Sequence, residues 1–121
     1  MAKILFIDDE ELLIEYSIKF FSRRDHQVSS AYSGEEGLKL IKEIQPDLVI
    51  LDLKMEGMSG IDVLKVLRKE DSNTKVLILS GQDDFETQEE AKKYKINGFV
   101  SKPIDLHKLE TMVNDVLSTK Q

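Results

Sequence analysis

The chain has 121 residues, room for one domain over 1–121, and its 40% hydrophobic and 33% charged residues give the balance of a folded globular protein rather than a disordered one. A net charge of −6 argues against the basic patch of a nucleic-acid-binding surface, and the absence of cysteine removes disulfides, thiolate zinc sites and cysteine nucleophiles. No apolar run approaches the roughly 20 residues of a membrane span, and Met1-Ala2-Lys3 leads into a strand-like segment rather than a signal peptide, so the expectation is a cytoplasmic protein without membrane contact.

The first element is the continuous apolar run 4–7, which suits a strand covered on both faces. Asp8-Asp9 end it. A helical segment follows, with Leu13, Tyr16 and Phe20 on one face and Ile14, Ile18 and Phe21 widening it. A weaker strand spans 28–32. Ser33, with Glu36 three residues on, has the capping-box pattern of a helix start, and Gly37, Leu40, Ile41 and Ile44 follow. The third strand, 48–51, ends in Asp52. Ser59 precedes a third helix carrying Ile61, Leu64 and Leu67. The fourth strand, 76–79, ends in Ser80-Gly81. The fourth helix, predicted over 83–94, is mostly polar, with Phe85, Ala91 and Tyr94 as its apolar residues. Asp83-Asp84 open it and Lys92-Lys93 lie near its end, matching the helix dipole. So few anchors make it a candidate mobile face for a partner. Phe99 and Val100 form a short fifth strand, followed by Ser101-Lys102-Pro103. A last helix after Asp105 carries Leu106, Leu109, Met112, Val113, Val116 and Leu117.

This fivefold alternation predicts a parallel sheet with helices on both faces. In such sheets ligands bind beyond the carboxyl ends of the strands. Those ends carry Asp8, Asp9, Asp52, Ser80 and Lys102: three carboxylates, a hydroxyl and an ammonium. Taken singly, Asp9 and Ser80 read as helix caps and Gly81 as a turn glycine. Taken together, crowded carboxylates repel, and a hard divalent cation such as magnesium relieves the repulsion. A carboxylate beside a metal, a lysine and a hydroxyl is a setting for phosphoryl transfer, where catalysis is mostly positioning and charge neutralisation. His26 and His107 lie away from those ends and read as surface or structural residues.

The chain resembles the receiver domain of bacterial two-component response regulators. The resemblance rests on Asp8-Asp9, on Asp52 after Pro46-Asp47-Leu48-Val49-Ile50-Leu51, on Met55, Met58 and Gly60, on Ser80-Gly81, and on Gly98-Phe99-Val100-Ser101-Lys102-Pro103. It implies a flavodoxin-like doubly wound sheet of order 2-1-3-4-5 with five helices. It implies that Asp52 accepts a phosphoryl group from the phosphohistidine of a sensor kinase or phosphotransfer protein. Magnesium would be held by Asp9, Asp52 and the Lys54 backbone carbonyl, with Asp8 acting mainly through water. Ser80 and Lys102 would contact phosphoryl oxygens, with Gly81 leaving room beside them. Phe99 would follow Ser80 as the switch aromatic, and Lys102-Pro103 would be a cis peptide. The face of helix 4, strand 5 and helix 5 would meet an effector or a second copy, without direct binding of nucleic acid. The domain would promote its own phosphorylation and dephosphorylation, not turn over an external substrate.

Three features depart from the family pattern, one of them Ser80, a common variant that stands in place of threonine and keeps the hydroxyl. Glu56 replaces a frequent proline and leaves φ of that loop unfixed, and Lys95-Ile96 replace a frequent Gly-Ala, so the turn out of helix 4 is expected to differ. Three other readings compete. A magnesium-dependent phosphatase or phosphotransferase with an aspartyl nucleophile often carries Asp-x-Asp after strand 1 and a cap segment. A flavin-type nucleotide binder would want a Gly-, Ser- or Thr-rich loop where Asp8-Asp9-Glu10-Glu11 stand. A degenerate receiver would have lost site residues, and none is lost here.

Overall fold

A computed structural model describes residues 2–71, 73–81 and 85–118. Its elements alternate in chain order: β1 (Lys3–Ile7), α1 (Glu11–Ser22), β2 (Gln27–Ala31), α2 (Gly34–Ile44), β3 (Leu48–Asp52), α3 (Gly60–Glu70), β4 (Lys75–Ser80), α4 (Phe85–Ala91), β5 (Gly98–Ser101) and α5 (Leu106–Ser118). All strand pairs are parallel and the sheet order is β2-β1-β3-β4-β5, the flavodoxin-like arrangement.

The chirality of crossovers distributes the helices. From β1 the chain steps outward to β2, then back past β1 to β3, β4 and β5. Right-handed connections therefore put α1 on one face and α2, α3 and α4 on the other. Alternation along each strand matches this division. Leu5, Ile7, Val49, Leu51, Val76 and Ile78 join the core beneath α2, α3 and α4. Ile4, Phe6, Leu48, Ile50, Leu77 and Leu79 join the core beneath α1 and α5. Because both faces are covered, β3 is buried at every position, which is why its sequence is an unbroken apolar run.

The caps have local causes. The Ser59 side chain accepts from Asp62 N–H at 3.2 Å, while Asp62 accepts from Ser59 N–H, a complete capping box on α3. On α2 the Ser33 hydroxyl accepts from Glu36 N–H, but the Glu36 carboxylate reaches one residue further back, to Tyr32 N–H at 2.8 Å. One face needs correction. Helix α1 buries Ile14, Ser17 and Phe21, whereas Tyr16 is 66% exposed. The buried stripe runs through Ile14 and Phe21, with Leu13, Ile18 and Phe20 packed beside it and Tyr16 outside it, and Ser17 is buried because its hydroxyl donates to the Leu13 carbonyl.

Helix α4 is shorter than its pattern predicted. It ends at Ala91 and continues as a 3₁₀ turn, Lys92–Tyr94; Asp83 and Asp84 lie outside the described residues. Its anchoring is slight: Ala91 is buried, while Phe85 is 72% exposed. Lys95 takes a left-handed conformation, φ 56°. Such backbone costs a residue with a Cβ about 1–2 kcal/mol. Arg68, from α3, donates to the carbonyls of Tyr94 and Lys95, each at 2.7 Å. Hydrogen bonds from a charged donor contribute about 1.5–3 kcal/mol each, enough to hold the strained turn. Glycine would lose the steric cost and add about 0.5–1 kcal/mol of entropic cost. Lys95→Gly is therefore expected to raise the unfolding free energy by roughly 0.5–1 kcal/mol, measured by urea denaturation. An unchanged or lower midpoint would count against this account of the turn.

Candidate functional site

The sheet order puts β1 beside β3, and their crossovers leave in opposite directions, so a crevice opens at the carboxyl ends of these two strands. In register, Ile7 lies opposite Leu51 and Asp52 opposite Leu79. Asp8 and Asp52 thus follow the same level of the sheet, with Ser80 one residue further along β4. Asp8, Asp52 and Ser80 are all buried, with at most 4% of their surface exposed.

The carboxylates of Asp8, Asp9 and Asp52 converge, each with an oxygen within 4.8 Å of the others. Lys102 reaches in from the end of β5: its Nζ lies 3.0 Å from Asp8 Oδ2 and 3.2 Å from Asp52 Oδ2. Its backbone N–H donates to the Ser80 carbonyl at 2.8 Å, and the Lys102-Pro103 peptide is cis. Loop backbone supplies further donors. Glu10 N–H donates to Asp8 Oδ1 at 2.9 Å, and Lys54 N–H to Asp52 Oδ1 at 3.3 Å. Asp9 does not cap α1: Glu10 holds that position without a side-chain cap. Instead Asp9 Oδ2 accepts from Glu56 N–H at 3.3 Å, a bond that a proline at 56 could not make. Gly60 holds the other side of the loop. A Cβ there would come within 2.4 Å of the Asp52 carbonyl oxygen, so only glycine lets α3 start this close to the acidic strand end.

The electrostatics are unbalanced. Burial, and then the neighbouring Asp8 charge, push the Asp52 carboxyl from 3.8 up to about 6, although Lys102 and the Lys54 N–H pull the other way. Burial by itself would lower the Lys102 ammonium, but Asp8 and Asp52 outweigh it and the net direction is up. One ammonium therefore does not neutralise the site. Three ionised carboxylates against one lysine leave two negative charges, the charge that a divalent cation carries. The donor set also fits such an ion. All three groups present hard oxygen ligands, and Asp8 Oδ2 is buried without an aligned hydrogen bond. The acidic cluster is thus able to hold a metal ion.

Of the remaining residues singled out from sequence, Gly81 directly follows β4 and is half-buried. Phe99 is half-buried on β5, opposite Ile78, and packs against the core beneath α2, α3 and α4. His26 and His107 lie apart from the site; His107 sets its ring edge-on to Phe20 at 5.3 Å. Two neighbours of the site carried no sequence signal. Glu10 Oε1 lies 3.5 Å from Lys102, and the Gln88 side chain donates to Ser80 Oγ at 2.8 Å. Glu10 adjoins the Asp8-Asp9 pair, but Gln88 is one polar residue on a polar helix.

The raised Asp52 value makes stability depend on pH. Between about pH 4 and 6 the folded carboxyl holds a proton that the unfolded chain releases, so this group's penalty grows as pH rises through that window. In metal-free protein, Asp52→Asn is expected to be more stable than wild type, with the gap widening by about 1–2 kcal/mol from pH 5 to pH 7. Calorimetry in a chelator measures this; a gap that narrows with rising pH would contradict the assignment.

Comparisons with known proteins bear on the family and the fold. The family model described as the response regulator receiver domain matches residues 4–114. The chain is 30% identical over 118 residues to sporulation initiation phosphotransferase F of Bacillus subtilis, covering 98% of this chain and 95% of that protein. It is also 30% identical to the transcriptional regulatory protein AfsQ1 of Streptomyces coelicolor, covering 97% of this chain but 52% of that protein, so it spans about half the length of such a relative. A crystal structure of a response regulator receiver domain protein from Clostridium thermocellum superposes with a TM-score of 0.89 at 31% identity, covering 97% of this chain and 94% of that one. Sequence, sheet order and the acidic strand ends lead to one assignment: the chain belongs to the response regulator receiver domain family of two-component signalling.

Proposed function

We propose that this receiver domain accepts a phosphoryl group on Asp52 from the phosphohistidine of a sensor kinase or phosphotransfer protein. The observation that carries the reading is the Asp52 carboxylate, 4% exposed at a strand end, with Lys102 Nζ 3.2 Å from its oxygen and two further carboxylates beside it. A carboxylate oxygen of Asp52 attacks phosphorus, the new P–O bond forms as the P–N bond breaks, and the departing imidazole takes up a proton. Lys102 would pair with a phosphoryl oxygen, and the Ser80 hydroxyl would donate to another. Asp9, Asp52 and the Lys54 carbonyl would hold magnesium, with Asp8 behind them. The ion, when bound, offsets the charge that gathers on the phosphoryl oxygens.

The chain's role in this reading is that of a switch. A phosphoryl group adds negative charge and strong acceptor oxygens where negative charge is already in excess. Drawing Ser80 toward it frees space for Phe99 and alters the face formed by α4, β5 and α5, where an effector or a second copy would bind. No described helix is long and apolar enough to cross a membrane, and a cytoplasmic location suits a partner kinase. The phosphatase alternative has no observation in its favour: where it would carry Asp-x-Asp after β1 this chain has the adjacent pair Asp8-Asp9, and the lone carboxylate follows β3.

Two measurements test the reading. Acetyl phosphate with magnesium is expected to add one phosphoryl group, seen by mass spectrometry, and Asp52→Asn to abolish it; undiminished labelling of that variant would sink the assignment. Magnesium titration by NMR is expected to shift resonances of Asp9, Asp52 and Lys54. Because Asp52 takes up a proton near pH 6, affinity should fall as pH drops below that value, approaching about tenfold per pH unit. Affinity that is flat across pH 5–7 would remove Asp52 from the ligand set.

A further inference from the structure

We infer that Gln88 is the positioning residue that couples Ser80 to helix α4, an inference that rests on the phosphoacceptor reading of Asp52 for its consequence but not for its contact. Ser80 is 2% exposed at the end of β4, and its hydroxyl oxygen accepts from the Gln88 side-chain amide at 2.8 Å. A serine hydroxyl has one proton and two lone pairs. Gln88 occupies a lone pair and leaves the proton for an acceptor on the Asp52 side. In the proposed switch the same hydroxyl would serve two elements, a phosphoryl oxygen through its proton and α4 through its oxygen.

The rest of α4 makes this bond consequential. Its described residues, Phe85–Ala91, bury Ala91. Its far end is held by Arg68 on the carbonyls of Tyr94 and Lys95, and a surface pair, Lys65 with Glu90 at 3.9 Å, adds little. The described contacts therefore fix α4 firmly behind Ala91 and, ahead of it, through Gln88. When Ser80 turns toward a phosphoryl oxygen, Gln88 either follows, tilting α4 about its Arg68 end, or lets go and releases the forward half. In both cases the movement of one buried hydroxyl reaches α4 through the Gln88 side chain.

The test compares full-length wild type with Gln88→Leu, which keeps the side-chain bulk, and Gln88→Glu, whose carboxylate can only accept. Without any ligand, Gln88→Leu should open the amides of 88–91 about fivefold more often in hydrogen exchange, leaving β4 unchanged; fivefold is about 1 kcal/mol, a typical single hydrogen bond. Beryllofluoride with magnesium then serves as the phosphoryl probe. It should bind Gln88→Leu about threefold tighter, because the restraint on Ser80 is gone, and should no longer shift α4 resonances. It should bind Gln88→Glu several-fold more weakly, because the carboxylate takes the Ser80 proton that the probe needs. A role in packing alone would move both variants the same way. Unchanged exchange, same-direction affinity changes, or a wild-type α4 response in Gln88→Leu would each overturn the inference. Failure of the probe to bind wild type would instead overturn the phosphoacceptor reading, and the ligand-free exchange comparison would still decide the contact.

Discussion

The structure turns on an ion cluster that cannot neutralise itself. Lys102 lies within 3.2 Å of both Asp8 and Asp52, and at an effective dielectric of about 20 each such contact is worth about 5 kcal/mol of Coulomb attraction. Yet the Asp52 carboxyl still sits near 6, so desolvation and the Asp8 charge together exceed what one ammonium returns. Such a site is held together by the surrounding fold rather than by its own charges. Its unspent negative charge is what gives added cations, protons and phosphoryl groups leverage over the domain.

That cluster exists because of where the sheet reverses direction. Acidic residues at the ends of β1 and β3 become neighbours only because the chain steps out to β2 and returns past β1. The same reversal sorts α1 from α2, α3 and α4, so the strand alternation that builds the two cores also builds the crevice. Gly60 then lets α3 begin against the Asp52 backbone. Stability and site geometry share these contacts, and the buried carboxylates are the part where stability is conceded to function.

Helix α4 is the other half of the design. The sheet and the helices α1, α3 and α5 bury several large apolar side chains each, while α4 relies on Ala91 and on polar contacts with Ser80 and Arg68. A neutral hydrogen bond such as Gln88 to Ser80, worth about 1 kcal/mol, is easily exchanged, whereas the apolar core is not. A domain that must change its surface without unfolding needs this contrast between one loosely held element and a rigid remainder.

The amino-acid sequence by itself determined the strands, most helix starts and the gathering of Asp8, Asp9, Asp52, Ser80 and Lys102 at one edge. Unbroken apolar runs, Ser59 with Asp62, and the β–α order are local signals, and the parallel topology follows from chain handedness. Other features were decided only in three dimensions. Tyr16 faces solvent and Ile14, Ser17 and Phe21 face the core, because helix rotation is set by packing against β1 and α5 rather than by the helix's own period. Lys95 tolerates a left-handed backbone because Arg68, distant in sequence, holds its carbonyl. Glu56 meets Asp9 through a backbone N–H, and Gln88 meets Ser80 through a side-chain amide. Periodicity reports which face a residue occupies, but a hydrogen bond between elements depends on distances of a few tenths of an ångström, and those are set by the packing of the whole sheet and its helices.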